Sequence, residues 1–266
     1  MPIHCPITLP RLSAEEFEAI DYRVMGHAYA SQNKLGRLCD ECAYEADLNA
    51  RLLADGFRSV HTQVPITLTH CDFTKTFRVD LIADNAPYEF KAQTTLTGDD
   101  DAQLFNYLFM LGVPRGKLLN FRPPKVQGKL LATAVTPELR RRFTISTDRW
   151  NDLTPGCAVL RQTMLDLLKD WGAFLSASLY QEALIGLLGG ASNVEHRVGL
   201  QRDGLDLGGQ RMFVHSPSTA FRVTAFTESQ STVESHLRRL LALTNLKAIQ
   251  WINMNHATIE FTTITR

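Results

Sequence analysis

The chain has 266 residues, enough for one large domain or two of ordinary size, and 44% hydrophobic with 21% charged residues excludes disordered, fibrous and low-complexity classes. Twenty-eight Lys and Arg balance 28 Asp and Glu, so overall charge gives no argument for nucleic-acid binding. Only local clusters such as ELRRRF (138–143) and HLRRLL (236–241) are basic.

The N-terminal stretch has no basic segment followed by an apolar core, and no run reaches the length of a membrane span; a cytoplasmic protein is expected. Ser13 with Glu16 has the spacing of a capping box and opens a helix towards Leu35, where Gly36 stops it. A second helix is expected from about Cys39 to Ala54, with Tyr44, Leu48 and Leu52 on one face. Glu41 lies one turn before Tyr44 on nearly the same face and can look inward. Cys39 and Cys42 form a CxxC, but neither His4 with Cys5 nor His70 with Cys71 supplies a clean second pair at zinc spacing.

Strands follow at QVPITLT (63–69), TFRVDLI (76–82) and PYEFKA (87–92). The last two flank the turn-forming ADNA, the pattern of a hairpin. With Asp84 and Asn85 as its turn residues, Asp80 falls opposite Glu89 and Arg78 opposite Lys91. Cross-strand Cβ atoms lie roughly 5 Å apart, so facing like charges are unfavourable unless something compensates. Glu89 and Lys91 share one face of the strand, while Phe90 points to the other, towards a core. Hard oxygen ligands of this kind suit Mg²⁺ or Mn²⁺, with positions left for water and a phosphate oxygen. A hairpin whose wet face carries charge is the alternative that these residues leave open. GDDDAQLFNYLFMLGV (98–113) then reads as a helix with Asp99 to Asp101 in its first turn, as the macrodipole prefers. Gln103 and Tyr107, four apart, project from one side of it, and KLLNF (117–121) reads as a short strand.

The order of helix, helix, three-stranded meander, helix and strand resembles the PD-(D/E)XK phosphodiesterase fold, with Asp80 and Glu89-Phe90-Lys91 matching its D…ExK motif. More narrowly, LGRLCDECAYEADL, QVPITL, FRVDLI, YEFKAQ, AQLFNYL and LLNF are similar, in the same order, to the family named for its GxxExxY motif, over about residues 15 to 145. One departure is visible: the Gly of that motif is Leu38 here, whereas Glu41 and Tyr44 are kept and Gly36 lies two residues earlier. The resemblance implies an α/β restriction-endonuclease-like core, a mixed sheet flanked by helices. It implies Asp80 and Glu89 as metal ligands, Glu41 as an auxiliary acidic ligand, and Lys91 as the group that orients the attacking water or stabilises the transition state. Gln103 and Tyr107 match a QxxxY element that supports the site and contacts nucleic acid, and Tyr44 joins them as a supporting residue.

A helical stretch through 158–190 opens the rest of the chain, which repeats the first half at a nearly constant offset. Leu35–Leu48 falls on Trp171–Leu184, pairing Gly36 with Gly172 and Tyr44 with Tyr180. In the same alignment Glu41 falls on Ala177, Asp80 on about Phe213, Glu89 on Arg222, Lys91 on Thr224, Gln103 on His236 and Tyr107 on Leu240. Two domains are therefore expected, residues 1–150 with the site and 151–266 as a degenerate, catalytically dead copy, with an unrelated accessory domain as the other possibility.

No Walker A, GxGxxG, GxSxG or HExxH points to other chemistry. The expected activity is a Mg²⁺- or Mn²⁺-dependent nuclease acting on DNA ahead of RNA, as a monomeric pseudo-dimer or a homodimer. The alternative is a non-catalytic nucleic-acid-binding or scaffolding protein on the same fold.

Overall fold

The computed structural model describes residues 2–227 and 229–266. Its contacts divide it into two compact units, the first running to Thr69 and from Thr74 to Pro137, the second comprising His70–Phe73 and Glu138–Arg266. Both are mixed α/β, each with a mixed sheet flanked by helices.

In the first unit, Ser13 caps α1 (Ala14–Leu35). Its hydroxyl accepts from the Glu16 N–H at 3.1 Å, while the Glu16 carboxylate accepts from the Ser13 N–H at 2.7 Å. Gly36 ends the helix at φ +78°, in the left-handed region open to glycine. Helix α2 spans Glu41–Ala54 behind Asp40, two residues later than expected from the sequence. Strands β1 (Ile3–His4), β2 (Val60–His70), β3 (Phe73–Ala83), β4 (Ala86–Lys91), β5 (Arg115–Asn120) and β6 (Gln127–Ala132) form one sheet in that order, with α3 (Gly98–Leu111) between β4 and β5.

Strand β4 pairs antiparallel with β3 and parallel with β5. Asp84 and Asn85 hold φ of 43° and 73°, which is the two-residue turn read from ADNA, with both central residues left-handed. Phe90 and Tyr88 enter a core with Phe17, Val24, Ala28, Leu48 and Leu52 of α1 and α2. The alternate residues of β4 face α3. That helix lies close against β5 at Gly116, where a Cβ would come within 2.9 Å of the Leu108 side chain.

The second unit has α4 (Pro137–Arg140), β7 (Thr144–Arg149), α5 (Pro155–Trp171), α6 (Ala177–Leu187), α7 (Ala191–Val194), β8 (Glu195–Arg202), β9 (Leu205–Ser216), β10 (Thr219–Thr224), α8 (Gln230–Ala242), β11 (Ala248–Asn255) and β12 (Thr258–Thr265). Its sheet runs β7-β12-β11-β10-β9-β8. The boundary expected at 150 lies instead between Pro137 and Glu138, because β7 pairs in parallel with β12. The helical stretch expected over 158–190 is broken into α5 and α6 by Gly172 at φ +77°, where a Cβ would sit 2.8 Å from the Arg140 carbonyl oxygen.

Beyond β7, the order of elements from α5 to β12 repeats that from α1 to β6, with the short α7 added. In both sheets the third strand of the set runs parallel to the strand that follows the single crossing helix, β4 to β5 and β10 to β11. Two side-chain details recur as well. The Tyr44 hydroxyl donates to the Gly36 carbonyl at 2.9 Å, and the Tyr180 hydroxyl donates to the Gly172 carbonyl. Asn120, paired with Lys91, brackets the Gln93 backbone by accepting from its N–H and donating to its carbonyl. Asn253, paired with Thr224, does the same to Phe226. Among the described residues no helix is long and apolar enough to cross a membrane.

Tyr44 is fully buried, its ring stacks on Phe121 at 4.3 Å, and its hydroxyl supports the Gly36 turn from inside the core. Tyr44→Phe removes that bond and nothing else. A loss of about 1 kcal/mol is expected in urea unfolding, rising towards 3 if the carbonyl stays dry.

Candidate active site

The site is built where β3 and β4 part. Their ladder runs from Ala83 and Ala86 to Leu81 and Tyr88. One residue further, the Asp80 side chain takes over from the backbone, its Oδ2 accepting the Phe90 N–H at 2.7 Å. Asp80 is thereby fixed beside Glu89, as expected from numbering outward from the turn.

Glu89 is 2% exposed and lies on the α3 face of β4. Its Oε1 accepts from Lys91 Nζ at 2.7 Å and from Gln103 Nε2 at 2.6 Å. Its Oε2 is buried with no donor on it. Burial pushes the Glu89 carboxyl up to about 8, and Asp80 adds to this by its charge and by carboxyl-to-carboxylate contact, against the opposing pull of Lys91. Two carboxylates so placed need a proton or a cation between them.

Lys91 is 9% exposed. Burial lowers its affinity for a proton, but the charges of Glu89, Glu41 and Asp80 outweigh burial and hold the ammonium above its ordinary value. Glu41 is the first residue of α2, and its Oε1 accepts the Ala92 N–H at 2.9 Å. It therefore fixes the strand end just beyond Lys91.

Gln103 and Tyr107 meet as their spacing predicts. Gln103 Nε2 donates to the Tyr107 oxygen at 2.9 Å as well as to Glu89. Burial, with the Glu89 charge behind it, holds the Tyr107 hydroxyl well above its ordinary value, so it stays protonated across the physiological range. Tyr44 is apart from this group. Its ring and hydroxyl are spent in the core, and no surface of it is left for nucleic acid.

Sequence reasoning missed Gln63 and Glu45. Gln63 lies inside β2 with φ +52°, a left-handed conformation that a non-glycine strand residue rarely holds. Its Nε2 donates to Glu45 Oε2 at 2.7 Å and to Asp80 Oδ1 at 3.1 Å, tying the two carboxylates together. Burial raises the Glu45 carboxyl, with the Asp80 charge adding to it against the Gln63 bond. The one signal available was spacing, since Glu45 is four residues after Glu41 on α2.

The donor set fits a hard divalent ion: Glu89 offers a buried oxygen with no donor among the described residues, and Asp80 offers Oδ1, which accepts from Gln63 at 3.1 Å. Among the described residues no three His, Cys, Asp or Glu are grouped closely enough to enclose an ion. Magnesium is commonly held by one or two carboxylates together with water and substrate phosphate, and the Asp80–Glu89 pair meets that requirement.

No curated protein and no solved structure matches the chain. Residues 18–130, which hold Asp80, Glu89, Lys91, Glu41, Gln103 and Tyr107, match the family model of the PD-(D/E)XK nuclease superfamily.

Proposed function

We propose that the first unit is a divalent-metal-dependent nuclease that hydrolyses phosphodiester bonds of DNA or RNA, with the site at Asp80, Glu89 and Lys91. The observation that carries this reading is the buried, donor-free Glu89 Oε2 beside the Asp80 carboxylate, with an ammonium 2.7 Å from the other Glu89 oxygen. Packing alone does not favour two carboxylates set together in a dry place.

Asp80 and Glu89 would hold Mg²⁺ or Mn²⁺, which supplies Lewis acidity at the phosphoryl oxygen and a water acidic enough to attack. The chain's own groups do the rest. Gln103 pins Glu89 Oε1 and so turns Oε2 towards Asp80. Tyr107, kept protonated, fixes the Gln103 amide. Gln63 and the Phe90 N–H fix the two Asp80 oxygens. Lys91 keeps its proton and presents a positive charge in a water-poor site, where it stabilises charge developing on the phosphate oxygens. Glu41 holds the Ala92 backbone and through it the position of Lys91.

The recurrence of topology, of the Tyr–Gly bond and of the Asn bracket supports reading the second unit as a degenerate copy of the first. The whole chain is then a covalent pseudo-dimer with one acting site. The rival reading, a nucleic-acid-binding protein without catalysis, draws its support from the missing third ligand.

The two are separated by calorimetric titration with Mn²⁺ and by cleavage assays on single- and double-stranded DNA and RNA, comparing wild type with Asp80→Ala/Glu89→Ala. The nuclease reading expects one ion bound and cleavage by wild type, and neither by the folded double variant. A wild type that binds no ion at millimolar concentration and cuts nothing leaves the binding-protein reading.

A pH dependence accompanies ion binding. Because the Glu89 carboxyl sits at about 8, it must give up a proton to accept an ion. The Mn²⁺ affinity is expected to rise about tenfold per pH unit from 6 to 8 and then level off, with about one proton released per ion, read from calorimetry in two buffers of different ionisation enthalpy.

A further inference from the structure

In the second unit the Asn bracket fixes which residues stand where the active site would be. Lys91 pairs with Asn120, which brackets Gln93, and Thr224 pairs with Asn253, which brackets Phe226. Counting back along β10, Arg222 occupies the place of Glu89. Thr224, in the place of Lys91, is fully engaged, donating to Asn253 Oδ1 and accepting from Trp251 Nε1, both at 2.8 Å. Among the described residues no carboxylate lines this place to hold a cation.

The position is not filled in by packing. A cavity of about 520 Å³ opens there, within the range of small-ligand sites of about 300–1,000 Å³. Arg222 lines it, exposed and without an ion-pair partner among the described residues. Arg211 also lines it, already paired with Glu195 at 2.6 Å, and its guanidinium lies 5.8 Å from the Phe213 ring. Phe226 stands at the cavity with 40% of its surface exposed, and Phe213 and Phe221 form an aromatic wall with centroids 5.8 Å apart. Among the described residues no carboxylate lines this space.

A guanidinium with no ion-pair partner among the described residues, an exposed aromatic ring and an amide side chain, Gln210, around a cavity of this size suit one chemical class. Phosphate takes the guanidinium, and an unpaired base stacks on the ring. In the first unit two carboxylates need a cation before they can meet a phosphate, whereas arginine meets it directly. We propose that this cavity binds one nucleotide of a single strand, phosphate on Arg222 and base against Phe226, and so grips the strand that the first unit cuts. The proposal rests on the nuclease reading for its substrate.

The test uses the full chain in EDTA, so that cleavage is silent, with fluorescein-labelled dT20, U20 and a duplex of the same length read by anisotropy. Arg222→Glu is expected to weaken dT20 or U20 binding at least tenfold and to flatten the salt dependence by about one counterion, with Arg222→Lys recovering part of the loss. Phe226→Ala is expected to weaken single-strand binding about tenfold and duplex binding less. Both side chains are exposed, so the variants should fold, which circular dichroism checks. Single-strand binding within twofold of wild type for Arg222→Glu and Phe226→Ala, or no binding by wild type at micromolar concentration, overturns the proposal. These outcomes are separate from failure of the nuclease reading, which shows instead as a wild type that binds no Mn²⁺ and cuts nothing, or as cleavage that survives in Asp80→Ala/Glu89→Ala.

Discussion

Lys91→Met is expected to lower the rate of phosphodiester cleavage by about 10²–10³-fold, the loss typical of removing one preorganised charge from a dry site. The variant should still bind one Mn²⁺ per chain. The ammonium it removes is nearly buried and is bonded to Glu89 of the site, so the change falls mainly on chemistry rather than on folding. It also removes the group that draws the Glu89 carboxyl down, so Glu89 moves further up and Mn²⁺ binding weakens at pH 7. Raising the pH to 9 should restore the ion but not the rate. Single-turnover cleavage at saturating Mn²⁺ at both pH values decides it. A rate that returns to within tenfold of wild type once the ion is bound would reduce Lys91 to a positioning residue for Glu89.

Glu89→Gln should move activity and stability in opposite directions. Cleavage is expected to fall about 10³-fold, since an amide oxygen holds a divalent ion poorly. In EDTA at pH 8, however, the variant should melt higher than wild type. The sign follows from linkage: the Glu89 carboxyl is at about 8 in the fold and at its ordinary 4.5 when exposed, so between these values the folded chain binds more protons than the unfolded one. Stability from this group is therefore full below 4.5, falls as pH rises through that window, and is flat above about 8. A glutamine carries no such penalty, and its oxygen still accepts from Lys91 and Gln103. The shift alone is worth about 4 kcal/mol at pH 8, at about 1.4 kcal/mol per tenfold change in proton affinity, and the variant gives back part of it because the Lys91 ammonium loses its carboxylate partner; a net gain on the order of 2 kcal/mol is expected, shrinking towards zero at pH 4.5. Thermal melts at the two pH values give the comparison; equal gains at both would mean that packing, not charge, separates the variants.

What could be read in the residues was whatever depends on local chemistry. Ser13 with Glu16 and Gly36 set the ends of α1, Asp84–Asn85 set the turn, and the turn set which residues come opposite Asp80. Gln103 and Tyr107 followed from helical spacing. What stayed hidden depends on distant parts of the chain. Gln63 looks like an ordinary strand residue, and nothing local announces its positive φ or the sharing of its amide by Glu45 of α2 and Asp80 of β3. The resemblance implied Glu41 as an auxiliary ligand, and what no local pattern shows is that its Oε1 also accepts the Ala92 backbone N–H from the start of α2. Strand β7 lies in the stretch assigned to the first domain, and its partner, β12, is more than a hundred residues later. No local pattern announces such a pairing.

That pairing has a practical side. Strand β12 is almost wholly buried, with Ile259, Phe261 and Ile264 in its middle, and β7 lies along its outer side. A fragment beginning at 151 would strip β7 away and leave the backbone donors and acceptors of an apolar strand open to the same strand of another molecule, the usual start of edge-to-edge aggregation. A fragment beginning before Glu138 keeps the guard strand and leaves that edge closed.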